Sequence, residues 1–307
     1  MGRLRASWVV KDILVRTLAP SHALAWLGRW RGSGPIPTVR GNTQLNLYSR
    51  ILPGDFLHYG YFDDPAIEAE AVSLKAVQRA QIRYAEKILE LIDAPDAPVL
   101  DVGCGMGGLL GLLEGRGHDA FGLTPDRFQI DHIGGAYPDV PVLHCTFEDM
   151  PTADHRSRFG TVIHSESLQY MKPDGVFRVM KEILAPGGTW VVADYFRVGD
   201  GGERSGWFWE RFVSQVSQHG YRFTHQEDIT GNVLPTLAFA HLLGNRIGLS
   251  AYDFACDKLK AKAPAVHYVM ENVAERGREA VLKNLDVIDP ERFSSLKRYM
   301  LLALKAA

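Results

Sequence analysis

Val99-Leu-Asp-Val-Gly-Cys-Gly-Met-Gly-Gly108 is the stretch whose reading decides the fold. The apolar run from Pro98 to Val102 predicts a fully buried strand. Glycines at 103, 105, 107 and 108 follow it directly, and Leu109-Leu110-Gly111-Leu112-Leu113 then reads as the first turns of a helix. Glycine tolerates positive φ and lets a ligand approach the backbone with no Cβ in the way, while a new helix offers unpaired N–H groups at its start. Strand, glycine turn and helix together predict a nucleotide-type site at the carboxyl end of the strand.

A dinucleotide fingerprint needs G-x-G-x-x-G with an acidic residue about 20 positions on. Here the spacing is D-x-G-x-G-x-G-G, with Asp101 inside the strand, where a carboxylate can order the loop or meet a cationic ligand. This pattern resembles the first motif of the class I S-adenosylmethionine (SAM) methyltransferases. A glycine loop alone can be a tight turn and nothing more, so the remaining segments carry the weight.

The 307 residues, 46% hydrophobic and 23% charged, suffice for one large domain or for one domain with a lid. A net charge of −2 argues against broad electrostatic attachment to nucleic acid. Cys104, Cys145 and Cys256 have no C-x-x-C spacing, so neither a disulfide framework nor a metal site is expected, and a reducing cytoplasm fits best. No apolar run nears the roughly 18 residues of a spanning helix. Membrane contact is therefore expected to be peripheral at most, and a homo-oligomer is allowed.

Taken in order, residues 1–45 open with Arg3, Arg5, Lys11, Arg16, Arg29 and Arg31 interleaved with Trp8, Trp26 and Trp30, and read as basic amphipathic helices. They would pack on the domain or meet a lipid-like substrate. The core is expected over 46–235, a helical lid or acceptor cap over 236–290, and a terminal strand over 291–307. Asn46-Leu-Tyr48 through His58-Tyr59-Gly60-Tyr61-Phe62 resembles the aromatic segment of the branch that includes cyclopropane fatty acid synthases and tocopherol and sterol methyltransferases. By that resemblance Tyr48 and Tyr59 lie at the methionine end of SAM, since aromatic faces suit a sulfonium cation. Residues 66–93 follow a helical period.

Asp119-Ala-Phe-Gly-Leu-Thr124 predicts the second strand, and Gly122-Leu-Thr-Pro-Asp-Arg-Phe-Gln129 resembles the G-[ILV]-T-x-S-x-x-Q of the cyclopropane synthase branch. The resemblance puts Thr124 and Gln129 near the ribose, with Asp126 as a weaker substitute. Val140–His144 is the third strand; Thr146 and Phe147 after it occupy the place where the family receives adenine. Arg158–Ser165 is the fourth strand, and it delivers Glu166-Ser-Leu-Gln-Tyr170. Glu-Ser at this point resembles sterol and tocopherol methyltransferases, and Glu-Ser-x-x-Tyr resembles the isoprenoid diphosphate C-methyltransferases. Leu184–Phe196 supplies a P-G-G turn and a fifth strand, residues 197–218 an aromatic helix around Trp207 to Phe212, and Arg298–Lys305 the last strand.

The expected fold is thus α/β, a Rossmann-like, seven-stranded, mostly parallel sheet with helices on both faces. The resemblance implies methyl transfer from SAM to a small, apolar or amphipathic acceptor of secondary metabolism. Glu166, Tyr170, Tyr59 and His58 are the candidate catalytic groups. Tyr48, Tyr59, Asp101, Gly103, Gly105, Gly107, Thr124, Gln129, Thr146, Phe147 and His164 are the candidate cofactor contacts. C-methylation of an isoprenoid-like alkene through a carbocation is favoured, with Glu166 as cation stabiliser and base. The rivals are O- or N-methylation of an aromatic acceptor, with His58, His164 or Glu166 as base, and a catalytically silent SAM-binding regulator. Mg2+ enters only if the acceptor carries a diphosphate.

Overall fold

The computed structural model describes residues 54–199 and 205–307, together with Val15, Pro20 and His22. The N-terminal helices read over 1–45 and the candidate Tyr48 lie outside the described residues. The chain divides into two compact units, Arg40–His241 with Ile288–Ala307 and Met1–Val39 with Leu242–Val287.

In the larger unit the strands are β1 (Val99–Val102), β2 (Ala120–Leu123), β3 (Val142–Leu143), β4 (Phe159–Ser165), β5 (Leu184–Arg197), β6 (Trp207–Phe208), β7 (Tyr221–Asp228) and β8 (Lys297–Ala306). They form one sheet in the order β3-β2-β1-β4-β5-β8-β7, with β6 paired to β5 outside that path. Pairs along β3 to β5 are parallel, whereas β8 runs antiparallel to both β5 and β7. The seven-stranded, mostly parallel sheet expected from the sequence is therefore present, extended by the short β6.

Side chains alternate across this sheet, and each face has its own core. On one face Leu100, Val102, Val162, Trp190 and Val192 pack with helix α4 (Pro173–Ile183) and with Phe212 of α5 (Trp209–Gln218). On the other, Val99, Ile163, Val191, Ala193, Tyr195, Tyr299 and Leu301 pack with α1 (Leu74–Leu89) and α2 (Gly108–Gly115). Helix α1 starts where the Ser73 hydroxyl accepts the Ala76 N–H, and it buries Val77, Gln81, Tyr84 and Ile88 at helical spacing. Each large side chain removed from water contributes about 1.5–3 kcal/mol. The remaining helices of this unit are α3 (Arg127–Ala136), α6 (Thr230–Leu243) and α9 (Pro290–Leu296).

Two expectations change. The aromatic helix begins only at Trp209, because Trp207 and Phe208 pair with Phe196 and Arg197 as β6. Phe212 is fully buried and stacks on Phe196 at 4.8 Å, while the half-buried Trp207 donates its indole N–H to the Met171 carbonyl at 3.0 Å. The third strand shrinks to Val142–Leu143.

The smaller unit contains α7 (Ser250–Lys262) and α8 (Pro264–Val287). The Tyr252 hydroxyl donates to the Ala274 carbonyl at 2.7 Å, and Arg278 pairs with Asp253 at 2.9 Å, tying the two helices together. Among the described residues no helix is long and apolar enough to cross a membrane.

Candidate active site

The glycine loop leaves β1 with φ of +76°, +56° and +90° at Gly103, Gly105 and Gly107. These conformations exclude ordinary side chains, but the surroundings differ. A Cβ at Gly103 would stand 2.5 Å from Ser167 Cβ, and one at Gly107 would stand 2.9 Å from Ile133 Cγ1, so packing explains both. At Gly105 a Cβ would meet only Leu57 Cδ1, at 3.6 Å. Gly105 therefore keeps bare backbone beside open space, the cradle a ligand needs.

Asp101 lies next to this loop, on the face of Ile163, its partner in β4. It is buried, accepts no hydrogen bond and has no ionic partner among the described residues; desolvation pushes its carboxyl up to about 7. Such a group is suited to a cation. At the end of β2 the buried Thr124 hydroxyl donates to Gln129 Oε1 at 2.5 Å, which leaves the Gln129 amide N–H groups as donors. Bare backbone and an unpaired carboxyl at the end of β1, with an amide donor beyond the end of β2, fit a nucleoside whose tail carries positive charge.

Glu166 follows β4 in the left-handed region, with φ +50°. A non-glycine residue held there is strained, and the contacts that hold it are specific. The Tyr59 N–H donates to Glu166 Oε1 at 2.9 Å and the Tyr299 hydroxyl donates to the same oxygen at 2.7 Å. Burial raises the carboxyl to about 7 against these two donors. Tyr59 also turns its ring edge-on to Tyr299 and Phe293, with centroids 5.9 and 6.1 Å away. The segment bearing Tyr59 is itself clamped: Gln81 of α1 donates to the carbonyls of Phe56 and His58, and the Gly60 N–H donates to Thr236 Oγ1. His58 stacks on Tyr84 with centroids 4.2 Å apart. Its Nδ1 faces the Tyr59 carbonyl at 2.7 Å, so Nδ1 carries the proton and the buried Nε2 presents a lone pair without a partner. Desolvation lowers this imidazole to about 4.

Glu166, Tyr59, His58 and Asp101 thus sit on one side of the sheet. His164 and Phe147 belong to the other. Val102, His164 and Val192 are register partners, and that row faces the Trp190 core. His164 takes the Trp190 indole N–H on Nδ1 at 3.0 Å and meets the Phe147 ring edge-on at 4.9 Å. Burial lowers it to about 3. His164 and the Phe147 ring thus pack together in the core of that face. Tyr170 is corrected: its ring is 81% exposed and cannot make a pocket apolar. The exposed Thr146 donates its hydroxyl to Asp149 at 2.7 Å, and Asp126 caps α3 through the Phe128 N–H at 2.8 Å. Glu166 caps no helix; the Lys172 N–H at the start of α4 goes to Glu148 at 3.0 Å.

Sequence reasoning missed Tyr299, Tyr84 and Asp194. Tyr84 shows in the sequence only as one member of an apolar stripe. Tyr299 requires the antiparallel register that places it opposite Tyr195. Asp194 is buried, accepts the N–H groups of Tyr195 at 2.8 Å and Gln169 at 3.2 Å, and so braces the turn that carries Glu166. Desolvation and the neighbouring Glu166 raise its carboxyl to about 8.

A family model described as a methyltransferase domain matches residues 100–192, from β1 into β5. The methyltransferase GfsG of Streptomyces halstedii is 30% identical over 160 residues, covering 49% of this chain and 55% of that protein. The chain spans about half the length of the curated relatives it matches. Among solved structures, the [4+2]-cyclase SpnF aligns with a TM-score of 0.61 at 20% identity, over 85% of this chain and 91% of its own. The geranyl diphosphate C-methyltransferase of Streptomyces coelicolor A3(2) aligns with 0.59 at 16% identity, over 87% and 94%. The glycine loop, the strand order with its antiparallel β8 and the matched segment agree: the chain carries a methyltransferase domain over residues 100–192, and its fold is similar to that of S-adenosylmethionine-dependent methyltransferases.

Proposed function

We propose that this protein methylates a small, largely apolar acceptor, and that the acceptor is an isoprenoid-like alkene methylated at carbon. The observation that carries the reading is Glu166, a half-buried residue in a strained conformation whose carboxyl is fixed by Tyr59 and Tyr299 at the carboxyl end of β4. Ligands in such sheets bind outside the carboxyl ends of the strands. When bound, S-adenosylmethionine supplies an electrophilic methyl group. Asp101, the backbone at Gly105, and the Thr124–Gln129 pair are the groups that would hold it. The chain's own work is then to align the acceptor, exclude water and manage charge. An alkene that gains a methyl group becomes a cation, and Glu166 with the ring of Tyr59 is suited to stabilise it and to take its proton. The C-methylation of geranyl diphosphate by a protein of the same fold supports this acceptor class.

One observation favours a second reading. The His58 Nε2 lone pair is buried and unpartnered, which suits it to accept the proton of a hydroxyl or amine acceptor. The fold also hosts a cyclase. Incubation with S-adenosylmethionine and a panel of prenyl alcohols, geranyl diphosphate with and without Mg2+, and phenols separates these readings by mass and by release of S-adenosylhomocysteine. A methylated alkene carbon is expected. Methylation confined to oxygen or nitrogen would transfer the role to His58, and product without methyl gain would make the chain a non-methylating enzyme.

A further inference from the structure

Glu166 Oε1 receives both donors, the Tyr59 N–H and the Tyr299 hydroxyl, while Oε2 accepts no hydrogen bond from the described residues. The geometry points to Tyr299, backed by Tyr84, as the positioning residue that ties down Oε1 and leaves Oε2 as the oxygen that works on the acceptor. This rests on the reading of Glu166 as the working carboxyl.

Proton counting fixes the direction of the network. Tyr299 has one hydroxyl proton, and it goes to Glu166. Its oxygen lies 2.8 Å from the Tyr84 hydroxyl, so Tyr84 must be the donor in that contact. Tyr84 has two acceptors in reach, Tyr299 at 2.8 Å and the Ala193 carbonyl at 3.1 Å. The Ala193 carbonyl already accepts the Glu166 N–H at 2.9 Å, so it is not left bare when Tyr84 turns to Tyr299. The Tyr84 oxygen in turn accepts from Ser165 Oγ at 3.3 Å. Ser165, Tyr84, Tyr299 and Glu166 form one directed chain that satisfies each buried hydroxyl and ends on Oε1. Both tyrosines are fully buried, so no water competes for these bonds.

Other groups face Glu166 from the elements around it. Asp194 and Tyr195 come from β5, His58 and Tyr59 from the segment before α1, and Tyr84 from α1 itself. Asp194 opposes ionisation of Glu166 by like charge, and Tyr299 and the Tyr59 N–H favour it. Of the two donors to Glu166, only Tyr299 can be altered by a single oxygen, because the other is the backbone N–H of Tyr59.

The test is infrared titration of Glu166 in the full chain without acceptor, using the protonated-carboxyl band that disappears in Glu166→Gln. Tyr299→Phe should raise the midpoint by about one pH unit, because a hydrogen bond to a charged group is lost. Tyr84→Phe should move it the same way by less. Tyr299→Phe should also lower kcat, leave KM and the Kd for S-adenosylmethionine unchanged, and shift the pH profile upward by the same interval. A midpoint that stays at the wild-type value in both phenylalanine variants overturns the role of Tyr299. If Tyr299→Phe does not fold, Tyr84→Phe decides alone by the same shift or its absence. The titration needs no turnover, so it is independent of the functional reading. Normal turnover in Glu166→Gln would instead overturn that reading, and with it the work assigned to Oε2.

Discussion

The Tyr59 N–H donates to Glu166 Oε1 at 2.9 Å across a sequence separation of 107 residues, joining the aromatic segment ahead of the sheet to the turn after β4. That bond makes Glu166 the point where the two most suggestive stretches of the sequence meet. Glu166→Gln keeps shape and an acceptor oxygen while removing the charge. Turnover should fall by on the order of 10² to 10⁴, the usual range for a positioned acid or base, with affinity for S-adenosylmethionine held within about threefold. Steady-state kinetics beside calorimetry checks this, and near-normal turnover would reject the role.

Gly105→Val should abolish binding of S-adenosylmethionine and S-adenosylhomocysteine. At φ +56° a β-branched residue is strained by about 1–2 kcal/mol, and its side chain fills the open space beside the loop. Calorimetry of the native chain should find these ligands bound and NAD not bound. Micromolar NAD binding without S-adenosylmethionine binding would be the contrary result. A melting temperature measured in parallel separates lost binding from lost fold.

The glycine loop and the mostly parallel sheet were legible because local chemistry specifies them: turns need glycine, and buried parallel strands need apolar runs. The packing of His164 and Phe147 on the other face was not legible for a geometric reason. Successive strand residues point to opposite faces, so a site gathered on the face of Asp101 and Ile163 cannot also hold His164, whose row is Val102 and Val192. Motif matching by position ignores that alternation. Tyr299 and Tyr84 were illegible for a different reason: nothing local distinguishes a buried tyrosine whose hydroxyl serves a carboxylate 133 residues away from one that fills space.

Asp101 gives a proton signature. Its carboxyl stands at about 7 because it is buried without a partner, so at pH 6 it is mostly protonated in the free chain. A cationic ligand beside it favours ionisation and expels that proton. Binding of S-adenosylmethionine at pH 6 should therefore release close to one proton from Asp101, and at pH 8.5 almost none. Calorimetry in buffers of different ionisation enthalpy measures the release. Asp101→Asn removes this contribution while leaving those of Glu166 and Asp194, and an undiminished release in Asp101→Asn would show that the ligand does not meet this carboxylate.

His164 separates a core role from a catalytic one. His164→Leu leaves the Trp190 indole N–H buried without an acceptor, a loss of about 1–3 kcal/mol, whereas His164→Gln retains one. Both variants should keep wild-type turnover below their melting temperatures, because the ring lies on the opposite face of the sheet from Glu166. The pH dependence follows from linkage. The native ring takes a proton only at about 3, while the unfolded chain takes it near the ordinary histidine value of 6.5. Protonation of the unfolded state thus costs the wild type stability that is fully present above pH 6.5 and is lost as pH falls toward 3. His164→Leu has no such group. Its stability deficit should be largest at pH 8 and should narrow steadily from pH 6.5 to pH 4, read from urea midpoints across that range. A turnover loss in His164→Leu or His164→Gln with unchanged midpoints would return this histidine to the active site.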